Sequence, residues 1–114
     1  MHLTPGIMEA AYSLLRETPP FARWRLPEAD EVGFVVTRDR LVKGDYGWEN
    51  GSHVIRLSSA VIGSLGELLI TMAHEMCHLR QQLVAPKDAA HHGTRFRQYA
   101  EAVCRVHGFD RKAF

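Results

Sequence analysis

The spacing of apolar residues changes along the chain, and each change marks a predicted element. After Pro5-Gly6, the positions Ile7, Met8, Ala11, Leu14 and Leu15 fit one face of a helix, which Pro19-Pro20 ends. Phe21 to Asp30 has no period and is expected to be irregular, with Phe21, Trp24 and Leu26 packing down as anchors. Three short strands should come next. Val32–Thr37 is β-branched and aromatic. Leu41–Trp48 is interrupted by Gly44 and Gly47, which predicts a twisted or bulged strand. His53–Leu57 alternates after an Asn50-Gly51 turn signal, and Ser58 and Ser59 close it. A longer helix is predicted from about Leu65 or Gly66 to Leu83, and Pro86 blocks any continuation. The small, polar stretch Ala89-Ala90-His91-His92-Gly93-Thr94 leads into a last helix, Thr94 to His107, with Gly108 just past its end. Phe96, Tyr99, Ala100, Val103 and Val106 or His107 give that helix its apolar face. Helix, small sheet, helix, helix is the order of an α+β fold.

Composition narrows the class. A chain of 114 residues is one domain, 1–114, by the length prior. Hydrophobic residues make up 46% and charged residues 24%, so extensive disorder is not expected. No apolar run is long enough to cross a bilayer, so no membrane partner is expected, and the first residues lack the layout of a secretory signal. Cys77 and Cys104 are too few for a disulfide framework or a four-cysteine zinc site. A cytoplasmic protein with reduced thiols is the expectation. The net charge of +1 does not describe a general polyanion binder. It is unevenly distributed: residues 1–79 hold seven Lys/Arg against ten Asp/Glu, and residues 80–114 hold seven against three. The basic final third hints at an acidic partner, while scattered arginines also suit an ordinary solvated helix.

The chemistry concentrates in Thr71-Met72-Ala73-His74-Glu75-Met76-Cys77-His78-Leu79. On a helix, His74 and His78 lie about 40° apart, so both imidazoles can reach one metal ion. Glu75 lies about 100° round the axis, which suits a carboxylate that meets a metal-activated water rather than the metal. Leu65, Leu68, Leu69, Met72, Met76, Leu79 and Leu83 fall opposite the histidines, roughly 120–220° away, and should bury the helix's back. A shuffled chain with seven histidines and eight glutamates would show H-E-x-x-H about 3% of the time. A catalytic zinc site needs a third protein ligand and an open position. The metzincin continuation is excluded, because Gln81 and Val84 occupy its glycine and histidine positions. Residue reasoning leaves Glu101, His91 and His92 as third-ligand candidates.

These motifs resemble the SprT-like metallopeptidase family, which includes the DNA–protein crosslink protease Spartan. That family pairs H-E-x-x-H with a later H-G-x-x-F, matched here by His92-Gly93-Thr94-Arg95-Phe96. Gly44, Trp48 and the strand His53-Val54-Ile55-Arg56-Leu57-Ser58 are also similar to the family's segment before its active-site helix, as is, less diagnostically, Phe21-Trp24-Leu26-Pro27. The resemblance implies a minimal zincin-like domain with His74, His78 and His92 as zinc ligands and Glu75 as general base. It implies that Gly93 allows a sharp backbone path and that Phe96 packs below the site. Longer family members add a zinc ribbon or DNA-binding tails, and Cys77 and Cys104 do not supply a ribbon.

The expected function is a zinc-dependent metalloendopeptidase acting on a protein or peptide substrate. DNA is a second, more weakly supported partner class. The alternative is a zinc-stabilised binding or nucleic-acid adaptor module, and the acid at Glu75 argues against a purely structural metal. The His53–Leu57 strand could offer an edge for substrate pairing. Tyr46, His53, Tyr99 and nearby arginines are candidate oxyanion donors. Cys77 and Cys104 are read as small buried side chains, Trp48 as an anchor, and His2, His91 and His107 as bystanders. Glu101 is read as solvent-facing or as a partner that orients a ligand histidine.

Overall fold

A computed structural model describes residues 1–88 and 91–114 of the chain. Ala89 and Ala90, the start of the small polar stretch, lie outside the described residues. The first helix, α1, is Pro5–Arg16. Thr4 caps it by accepting the N–H of Ile7 at 3.1 Å, and Pro5 takes the first turn, where its missing N–H costs nothing. Single 3₁₀ turns at Phe21–Arg23 and Ala29–Glu31 carry the chain to the sheet. The three anchors expected there are buried: Phe21, Trp24 and Leu26.

The strands are β1 (Val32–Thr37), β2 (Gly44–Glu49) and β3 (Ser52–Ser58). Their order is β1-β3-β2, with β1 parallel to β3 and β2 antiparallel to it. Asn50 and Gly51, with φ of 52° and 75°, form the two-residue reversal between β2 and β3. Two expectations are corrected here. Leu41–Lys43 is not strand, because the Asp39 carboxylate accepts the N–H groups of Leu41 (2.8 Å) and Val42 (3.1 Å) and holds them in a turn. The register of β2 on β3 is also unbroken, so there is no bulge. The glycine that looked like an interruption has a packing cause. A Cβ on Gly44 would lie 2.8 Å from the Arg56 main-chain oxygen and 2.6 Å from the Leu57 side chain, so only glycine lets β2 lie this close to β3.

A third correction concerns the substrate edge. β3 is the central strand, hydrogen-bonded on both sides, and has no free edge to offer. Among the described residues, the open edges belong to β1 and β2.

Phe34, Ile55 and Tyr46 line up across the sheet, as do Val36, Leu57 and Gly44, and this face packs on the helices. Val35, Arg56 and Asp45 share the opposite face, where Arg56 pairs with Asp45 at 2.9 Å and with Glu49. The helix α2, Leu65–Val84, begins at Ser64, whose hydroxyl accepts the Glu67 N–H at 3.1 Å. Its apolar stripe is only partly buried as predicted. Leu68, Met72, Met76 and Leu79 are sealed, but Leu65 and Leu83 at the helix ends are exposed. The middle is enclosed further round, with Ala73, Cys77, Glu75, His78 and Gln81 also buried. Burying each large side chain there is worth roughly 1.5–3 kcal/mol. A 3₁₀ turn at Pro86–Asp88 and the helix α3 (Thr94–His107) come next. Gly108, at φ 73°, ends α3 in the left-handed conformation, and a last 3₁₀ turn covers Arg111–Ala113. The result is an α+β fold of three helices and a small three-stranded sheet. Among the described residues, no helix is long and apolar enough to cross a membrane.

Candidate metal centre

The helix pitch of α2 presents His74 and His78 to the same cleft, and the chain returning into α3 brings His92 to meet them. One ligand atom from each of these imidazoles lies within 4.8 Å of the others. His78 Nε2 and His92 Nε2 are 2.8 Å apart. Zn–N bonds of 2.0–2.1 Å at tetrahedral angles require about 3.3 Å between nitrogens, so small ring movements would accommodate a divalent cation. Three imidazoles could hold such an ion, and the donor set does not by itself select zinc.

The rings are supported from below. Phe96 is buried, and its ring centroid lies 4.9 Å from His74, 4.6 Å from His78 and 4.5 Å from His92. This is the packing expected of Phe96. Burial, with help from the neighbouring His78, pulls the His74 pKa down to about 4. The ring is therefore neutral at pH 7, the state in which an imidazole binds metal. Its Nδ1 donates to the main-chain oxygen of Phe114 at 2.5 Å.

Glu75 is 4% exposed and lines the same cleft. Burial, and then the charge of Asp45, push its carboxyl up to about 8. The cleft is a cavity of about 640 Å³. The strand β2 forms one wall with Gly44, Asp45, Tyr46 and Trp48, and Gln82, Pro86 and Lys87 stand among the residues opposite. Trp48 is about half exposed there with its ring 4.7 Å from His53, so it belongs to the cleft rather than to the core.

The remaining candidates separate clearly. Glu101 is exposed on α3, and His91 lines a different cavity with Gln81 and Arg95. Neither joins the three-histidine group. Tyr99 packs against Trp24, ring centroids 4.9 Å apart, and does not line the cleft. His53 is tied to the Tyr46 hydroxyl at 2.6 Å, and among the described residues no arginine lines the cleft. Tyr46 alone of the oxyanion candidates does so. Cys77 and Cys104 are free and buried. Gly93 departs from expectation: its φ of −81° is open to any residue, and a Cβ there would meet nothing within 4 Å.

Two contributors escaped the sequence reading. Gln81, 1% exposed, donates through Nε2 to the main-chain oxygens of Asp88 (3.2 Å) and His91 (3.1 Å). It thereby fastens the segment that carries His92 to α2. A polar residue among the apolar positions of a buried helix was the available signal. The other is Phe114, which nothing in the local pattern marks. Compared with known proteins, residues 14–112 match the family model described as the SprT-like family. Comparison with curated proteins finds no match.

Proposed function

We propose that this chain, which belongs to the SprT-like family, is a zinc-dependent metalloendopeptidase with His74, His78 and His92 as ligands and Glu75 as general base. The observation that carries this reading is the meeting of three imidazoles and one buried carboxylate in a single open cleft. Zinc bound there would supply a Lewis acid that polarises the scissile carbonyl and makes water nucleophilic near neutral pH. Glu75 takes the proton from the attacking water and hands it to the leaving amine nitrogen. The unpaired edge of β2 runs along the cleft and is suited to hold an extended peptide through backbone pairing. Tyr46 is the proposed donor to the carbonyl oxygen.

Substrates are proposed to be unfolded or extended protein segments. DNA-associated proteins are a narrower proposal, supported by the basic balance of residues 80–114. A reducing, cytoplasmic setting suits two free, buried thiols. The alternative, a metal-stabilised binding module, would call for a fourth protein ligand. Among the described residues the group has three, which favours an open catalytic position. The test is hydrolysis of an unfolded protein with added zinc. Wild type should cleave it, and Glu75→Gln should bind zinc equally but cleave at least ~100-fold more slowly. Equal cleavage by both would remove Glu75 from the mechanism.

A further inference from the structure

We infer that Phe114 is a positioning residue of the metal centre, its main-chain oxygen setting which ring nitrogen of His74 is free to bind metal. The inference rests on the metal site proposed above. Three features deliver this oxygen. Gly108, at φ 73°, turns the chain back at the end of α3. Asp110 then caps the last 3₁₀ turn, its carboxylate accepting the Lys112 N–H at 2.9 Å while its main-chain oxygen accepts the Ala113 N–H at 2.9 Å. The Phe114 ring finally docks beside the site, 5.3 Å from the His74 ring and 6.3 Å from Phe96. His74 is thus held between two phenylalanines, with Nδ1 2.5 Å from the Phe114 oxygen.

The acceptor dictates the chemistry. A main-chain oxygen can only accept, so His74 Nδ1 must carry the proton. The neutral ring has one proton, so Nε2 keeps its lone pair for the cation. Without this contact, a neutral imidazole can put its proton on either nitrogen, and part of the population would be wrong for binding. At zinc sites an outer hydrogen bond of this kind is commonly worth 10–100-fold in metal affinity. The turn also encloses the site from behind. Ala113 and Phe114 close a cavity of about 130 Å³ whose other walls include Thr71, His74 and Glu75.

The test compares Phe114→Gly, Phe114→Leu and Asp110→Ala with wild type in the full chain. Zinc affinity is read by competition with a chromophoric chelator, and the His74 tautomer by ¹⁵N NMR of the metal-free protein. Wild type should show one tautomer, protonated at Nδ1. Phe114→Gly and Asp110→Ala should show a mixture and bind zinc about 10–100-fold more weakly. Phe114→Leu, which still docks an apolar side chain, should recover most of both. Wild-type affinity and a single tautomer in Phe114→Gly would overturn the inference, as would weakened binding with no change of tautomer. Zinc binding that depends on Phe114 without any peptidase activity would instead remove the proposed function and leave this inference standing. Absence of zinc binding by wild type would overturn both.

Discussion

The two halves of the three-histidine cluster are built differently. His74 and His78 ride on α2, whose middle is enclosed by the sheet-and-helix core, so their spacing is a property of helix pitch. His92 is exposed and stands at the start of α3, after a segment fastened to α2 by Gln81. The first pair is organised as soon as the core is. The third ligand depends on the Phe96 ring 4.5 Å away and on the Gln81 bonds to its segment. Ligand geometry and fold stability are therefore joined at α2 and separable at His92.

The sharpest way to break this contrast is to remove one ligand from each half. His78→Ala and His92→Ala should both weaken zinc binding about 100- to 1,000-fold. This magnitude comes from sharing the roughly 10–16 kcal/mol of a four-ligand site evenly, about 2.5–4 kcal/mol per ligand. Only His78→Ala should also lower the urea midpoint of the metal-free protein, because His78 is buried and stacked on Phe96 at 4.6 Å. Equal midpoints for the two variants would show that the halves do not differ.

A smaller effect is expected from the Gln81 bonds. Gln81→Ala leaves all three histidines in the chain but strands the oxygens of Asp88 and His91. Zinc affinity measured by calorimetry should fall about 10–100-fold, as for loss of an outer-shell partner. An unchanged affinity would mean that the segment holds His92 without Gln81.

The remaining effect concerns pH and the α2 half alone. The Glu75 pKa is raised in the folded state, from 4.5 to about 8. Its contribution to stability is therefore present below 4.5 and is lost as pH rises toward 8. The His74 pKa is lowered from 6.5 to about 4, so its contribution is present above 6.5 and is lost as pH falls toward 4. Metal-free wild type should weaken toward both ends of this range. Glu75→Gln should remove the alkaline loss only. Its urea midpoint should exceed that of wild type by a margin that grows from pH 5 to 8. A margin independent of pH would contradict the burial argument.

Much of this was legible in the chain because its signals are local. Val32–Thr37 and Thr94–His107 form over the residues predicted, and Asn50-Gly51 and Gly108 turn the chain where expected. H-E-x-x-H was readable because helix pitch alone brings His74 and His78 together. What the sequence did not disclose was long-range. Strand adjacency is not written in the alternation of one strand, so the central place of β3 and the open edge of β2 had to be seen. Leu41 and Val42 look like strand residues until Asp39 is known to occupy their N–H groups. Phe114 meets His74 across 40 residues, and no spacing rule reaches that far. The choice between His91 and His92 came from family resemblance, and the geometry brings His92 alone into the cluster.

The unpaired edge of β2 carries a cost as well as a use. A strand border able to recruit a foreign peptide can equally recruit a sister molecule, the first step toward insoluble aggregates. Asp45 and Glu49 sit on that border with a single Arg56 between them, leaving it net acidic. Two such borders brought together would set like charges side by side, so solubility and substrate capture are tuned by the same few side chains.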